Sequence, residues 1–175
     1  MFLHGFVFVA KSQKSVLMRH NDRNGTGWYN DEHSLTVNNV KPGSFGKLFE
    51  RTVDDELYAQ PLVVYNVNLP SAGVHNIVIA ATVNNTIYAF DADSASVSAP
   101  YWQRNLTAAG ARVVRNTDMS GACGGNYLDF SGNIGIVGTP AIDTTTKTMY
   151  LVSRSVNTTS NTYMQYLHAI DITTG

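Results

Sequence analysis

Ala59-Gln60-Pro61-Leu62-Val63-Val64, Asn76-Ile77-Val78-Ile79-Ala80-Ala81-Thr82 and Thr86-Ile87-Tyr88-Ala89-Phe90-Asp91-Ala92-Asp93 return later in the chain in the same order. The second set is Gly138-Thr139-Pro140-Ala141-Ile142-Asp143, Thr148-Met149-Tyr150-Leu151-Val152-Ser153 and Tyr166-Leu167-His168-Ala169-Ile170-Asp171-Ile172-Thr173. Each set runs from a proline and an apolar stretch, through a second apolar stretch, to an aromatic or His followed by Ala, an apolar residue and Asp. Pro61 and Pro140 lie 79 positions apart, Asp91 and Asp171 lie 80 apart, and Ile79 and Leu151 lie 72 apart, so the order is kept while the loops differ in length. Repeated strand units joined by variable loops are the mark of propeller blades.

Local chemistry supports strands at each place. Val83, Asn84 and Asn85 separate the second and third stretches, and Asn tolerates the positive φ that a hairpin turn requires. After Phe90, the short carboxylates of Asp91 and Asp93 can accept from backbone N–H groups two residues on and close a second turn. Tyr101 to Leu106 then reads as a fourth, outer strand, with Trp102 large enough to seal the gap to a neighbouring blade. These signals predict strands near 59–65, 76–82, 86–91 and 101–106, then 138–143, 148–154 and 164–171, with little helix. The fold class is all-β: a partial β-propeller of four-stranded antiparallel blades, one complete (about 58–106), one incomplete (138–175). A long loop, 107–138, separates them. Phe45 to Val53 has the apolar content of an outer strand with no inner strands of its own, as expected where a closed propeller joins its two ends. An arc of blades leaves an apolar face and sheet edges uncovered, so the 175-residue chain is expected to behave poorly in solution.

Composition narrows the function classes. With 12 Lys+Arg against 13 Asp+Glu and a net charge of -1, no global field recruits nucleic acid. The one cysteine, Cys123, allows no intrachain disulfide and matches no zinc spacing. His4, His20, His33, His75 and His168 are dispersed, and none stands in a His-Glu-x-x-His pattern. Residues 1–18 form an apolar N-terminal segment too short to span a bilayer; it reads equally as a signal-peptide remnant, a strand or the product of a misassigned start. Sequons at Asn24, Asn84, Asn105 and Asn157 arise readily by chance in an Asn- and Thr-rich chain and do not establish secretion.

Tyr88-Ala89-Phe90-Asp91-Ala92-Asp93 with Trp102, and His168-Ala169-Ile170-Asp171-Ile172-Thr173-Thr174-Gly175, resemble the repeats of the pyrroloquinoline-quinone (PQQ) group, the quinoprotein alcohol dehydrogenases and their non-enzymatic propeller relatives. His20-Asn21-Asp22-Arg23-Asn24-Gly25-Thr26-Gly27 resembles that family's opening loop, so the likeness covers 19–175. The resemblance implies blade packing, which is not itself a reaction. In the dehydrogenases a glutamate before the proline-containing strand contacts the cofactor; the matching place is Tyr58, which is not acidic. Two adjacent cysteines cover the quinone there; here Cys123 is followed by Gly124. The calcium ligands and catalytic aspartate of that family belong to later blades.

These features lead to an expected function: a non-catalytic propeller scaffold in an exported, extracellular or periplasmic protein, binding a protein or glycan at its loop face or channel. The remaining blades of the same parent chain would be its other partners. The alternative is a PQQ- and calcium-dependent dehydrogenase of alcohols or sugars; a third reading is an intracellular scaffold. No catalytic or metal-binding residue is assigned, and no cofactor is expected unless the alternative holds. The 107–138 loop, with Gly110, Arg112, Arg115, Asp118, Cys123, Asp129 and Gly132, either forms a binding face or packs on its own residues. Asp91, Asp93 and Asp129 could suggest calcium, but the repeated Asp91 and Asp171 are better explained as turn formers.

Overall fold

The computed structural model describes residues 14–30, 32–121, 127, 129–130 and 132–175. Strands β1 (Leu62–Leu69), β2 (Gly73–Ala81), β3 (Thr86–Asp91) and β4 (Trp102–Asn105) form an antiparallel four-stranded sheet in chain order. A second antiparallel sheet is built from β5 (Ala111–Val113), β6 (Ala141–Asp143), β7 (Thr148–Asn157) and β8 (Tyr163–Asp171). The only helical element among the described residues is one 3₁₀ turn, Asn116–Met119.

The turn chemistry read from the sequence is present. Asn85 closes the β2–β3 hairpin at φ 59°. Asp91 accepts from the N–H groups of Asp93 (2.8 Å) and Ser94 (2.7 Å), and Asp171 from that of Thr173 (2.7 Å). Both aspartates therefore terminate a strand by replacing ladder bonds with side-chain bonds.

The second sheet departs from the expectation in one respect. β7 is ten residues long, and β6 pairs only with its start, through Asp143↔Thr148 to Ala141↔Tyr150. That leaves the edge at Ser155–Asn157 unsatisfied, and β5, inside the stretch expected to be loop, pairs there. β5 and β6 thus share one edge of β7 while β8 runs along the whole of the other. Phe45 to Val53, expected as an outer strand, makes no ladder among the described residues. Strand geometry needs a neighbour to hydrogen-bond, and no strand among the described residues pairs with this stretch, which lies against Tyr88, Phe90 and Gln103 of the first sheet. The residues just after it cap the first sheet instead: Asp54 accepts from Thr82 Oγ1 (2.8 Å), Asn84 Nδ2 (2.8 Å) and Thr86 Oγ1 (2.5 Å). Burial raises the pKa of this carboxyl, but the bonds from Thr86, Asn84 and Thr82 outweigh it and hold the group below its ordinary range. Val16, within the apolar N-terminal segment, bridges Val63 on the edge of β1, while Leu17 accepts from the N–H of Ile142 (2.8 Å). The part of that segment before residue 14 lies outside the described residues.

The ladders also correct the alignment of the two repeats. Ile77 faces Asp91 and Thr148 faces Asp171, so Ile79 corresponds to Tyr150 rather than to Leu151. A one-residue slip moves every side chain to the opposite face of a strand. On the first sheet Ile77, Ile79, Ala81, Ile87 and Ala89 share the face that packs on Met149, Leu151 and Ile170 of the second. The matching positions of the second sheet are therefore its outward face, where Tyr150 (43% exposed), Val152 (40%) and Leu167 (75%) are uncovered. The first sheet thus offers this face to the second, and the second leaves the corresponding face outward.

Trp102 locks the two sheets together. Its indole Nε1 donates to the carbonyl of Ile172 (3.0 Å), and its ring lies over Gly175, which has φ +73°. Asn85, fully buried, makes a second lock, its Nδ2 donating to the Arg154 carbonyl (2.8 Å).

Candidate functional site

The 107–138 connection both packs on its own residues and walls a cavity. Arg112 donates to both carboxylate oxygens of Asp118 at 2.7 Å, and the Arg115 N–H donates to the same carboxylate at 2.8 Å. The Arg112 hydrogen bond is the main cause holding the Asp118 carboxyl below its usual range. Asn116 ties the two limbs of the loop together, its N–H reaching the Gly132 carbonyl (2.9 Å) and its Nδ2 that of Phe130 (2.9 Å). Gly110 accepts from the Thr158 N–H (3.1 Å), anchoring the base of the loop to the β7–β8 turn. The side chains of Arg112 and Asp118 and the N–H of Arg115 are thus spent on loop structure.

Behind this brace lies a cavity of about 480 Å³. Met119, Phe130, Ile134 and Val137 from the connection face Arg154 of β7 and Gln165 of β8 across it. Arg154 and Gln165 are direct ladder partners, so their side chains share one face of the sheet. The sequence reading missed Arg154. Its signal was present: it is the only charged residue in Thr148–Asn157, on a strand otherwise apolar or small.

The other sequence candidates are scattered. Tyr58 is half-exposed, donates to the Asp129 carbonyl (3.3 Å) and packs on Phe130 with ring centroids 4.5 Å apart. Desolvation, then the nearby charge of Glu56, raise its phenol. Cys123 and Gly124 lie outside the described residues. His20 bonds the Gly25 carbonyl within its own loop (3.1 Å), and His168 meets Ser153 (2.8 Å) at a fully buried hydroxyl. Desolvation, then Arg104, lower the His168 pKa.

Asp91 sits in a cluster with His75 (3.2 Å) and the Tyr101 phenol (2.5 Å). Burial opposes its ionisation, yet the bonds from Tyr101, Ser94 and Asp93 keep its pKa low. With its oxygens committed to these donors, and Asp93 accepting from Asn76 (2.7 Å), the pair does not fit calcium, which takes six to eight oxygen ligands. Among the described residues no group of three or more His, Cys, Asp or Glu side chains is placed to share a metal ion.

Burial and the Asp91 carboxylate together push the Tyr101 phenol up to about 12. Because the folded pKa lies above the ordinary 10.0, this tyrosine contributes stability that is complete below pH 10 and lost as pH rises towards 12. Tyr58, Tyr65 and Tyr88 are raised as well, so an ultraviolet phenolate titration is expected to show a late-ionising fraction whose last component, near pH 12, disappears in Tyr101→Phe. Asp91 works in the opposite direction: its depressed pKa gives stability present above about pH 4 and lost as pH falls below it.

Two antiparallel four-stranded sheets, stacked face to face and joined by a loop that walls a cavity, define an all-β protein of blade-like units. Comparison of the chain with protein-family models, with curated proteins and with solved structures finds no match. No helix among the described residues is long and apolar enough to cross a membrane.

Proposed function

We propose that the chain is a portion of a non-catalytic, PQQ-repeat-like β-propeller scaffold in an exported protein, using its loop face to bind a protein or glycan. One observation carries this reading: the outward face of the second sheet, with Tyr150, Val152 and Leu167 exposed, occupies the repeat positions that the first sheet buries against its neighbour. A face built like a covered one calls for a further sheet. Support for the non-catalytic part comes from Tyr58, whose phenol stands where the dehydrogenases carry a cofactor-contacting glutamate and is already bonded to the loop.

The test is to incubate the full-length protein with calcium and PQQ, follow the quinone spectroscopically, and assay dye reduction with a panel of alcohols and sugars. The expected result is no stoichiometric quinone binding and no substrate-dependent reduction. Both together would replace the scaffold with a PQQ- and calcium-dependent dehydrogenase of alcohols or sugars.

A further inference from the structure

We infer that the cavity between the 107–138 connection and the second sheet is a binding site for a small monocarboxylate with an apolar, flat or branched body. The inference goes beyond the scaffold reading and concerns the end of the outward sheet face that the 107–138 connection walls, where Arg154 and Gln165 lie. Three properties of the cavity converge on this ligand class.

The first is size. About 480 Å³ falls within the roughly 300–1,000 Å³ typical of small-molecule sites. The second is the wall. Met119, Phe130, Ile134 and Val137 present aliphatic, aromatic and thioether surface, and methionine side chains adapt to the outline of whatever they contact.

The third property is charge. Among the described residues, Arg154 is the only charged one lining the cavity. Its guanidinium takes part in none of the ion pairs of the described residues, which join Lys47 to Glu50, His75 to Asp91 and Arg112 to Asp118. Arg112 of the loop is neutralised by Asp118, whereas Arg154 pairs with no carboxylate among the described residues. A guanidinium beside apolar walls presents a planar fork matched to one carboxylate, and the charge-assisted bonds gain strength where water is partly excluded. Gln165, across the ladder, adds an amide donor on the same face. A purely apolar ligand would leave the guanidinium desolvated without a partner, and a polyanion would bring more charge than one cation answers.

The experiment measures binding of 4-phenylbutyrate and of its neutral analogue 4-phenylbutan-1-ol to the full-length protein by calorimetry or ligand-observed NMR. The carboxylate is expected to bind at least about 10-fold more tightly than the alcohol, the ratio that one charge-assisted hydrogen bond supplies. R154Q should erase that difference by weakening the carboxylate alone, with an unchanged melting temperature. Val137→Trp, at a partly exposed wall position, should abolish binding of both probes by filling the space; Met119→Trp serves the same purpose if Val137→Trp fails to fold. Failure of wild-type protein to bind either probe, equal affinity for the two, or undiminished carboxylate binding by R154Q would each overturn the inference.

Discussion

Trp102→Ala is expected to lower stability by about 3–5 kcal/mol, the cost of removing a large buried aromatic side chain together with the cavity it leaves. The ring is buried between the two sheets, and beside it Arg104 of β4 donates to the Gly175 carbonyl (3.0 Å), an exposed contact that buries no comparable apolar surface. Its loss uncovers Gly175 and strands the carbonyl of Ile172, which accepts the indole N–H at 3.0 Å. Trp102→Phe separates the two contributions: most of the apolar surface stays, the hydrogen bond goes, and a loss of about 1–2 kcal/mol is expected. Urea unfolding of the three proteins, with the midpoint and its slope compared, gives the measurement. A Trp102→Ala protein within about 1 kcal/mol of wild type would show that the indole is not the seal between the sheets.

The role of Trp102 is legible in the sequence, and so are the strand pairs and both aspartate turns. All three rest on local chemistry: a β-rich apolar run, an Asn that accepts positive φ, a short carboxylate two residues from the N–H it binds. What escaped the sequence depends on partners distant in the chain. Ala111 to Val113 is too short to announce itself as a strand and becomes one only because β7 outruns β6. Asp54 lies about thirty residues from the threonines it bonds, and nothing in Val53-Asp54-Asp55 foretells them. The repeats were aligned by apolar content, which is nearly symmetric between the two faces of these strands, so the alignment slipped by one at Ile79. Only the aspartate at the end of each ladder carries the true register. Arg154 was visible as a lone charge on an apolar strand, but the cavity that gives it meaning is walled by the 107–138 connection, whose path no local pattern encodes.

That connection crosses the first hairpin at its tightest point, and Gly135→Ala is expected to destabilise the protein by about 3 kcal/mol, the upper end of the usual range for overpacking. Gly135 donates its N–H to the Val83 carbonyl (2.8 Å), bringing the two backbones into contact with no room for a side chain. A Cβ there would stand 2.8 Å from Asn85 Cγ and closer still to Asn85 Oδ1 and the Val83 oxygen. Neither neighbour can yield. Val83 is fixed in the hairpin turn, its N–H bonded to the Glu56 carbonyl at 3.0 Å. Asn85 is fully buried and held by the Arg154 carbonyl, so displacing it breaks the second lock between the sheets. The Oδ1 of Asn85 has no hydrogen-bond partner among the described residues, so a shift offers it no compensating bond either. Gly132→Ala, three residues earlier in the same connection and facing open space, is the control and should change stability by no more than about 0.5 kcal/mol. Because Arg154 belongs both to this lock and to the cavity, Gly135→Ala should also weaken 4-phenylbutyrate binding, while Gly132→Ala leaves it unchanged. Equal unfolding midpoints for the two alanine variants would show that the connection does not bear on the hairpin as the structure places it.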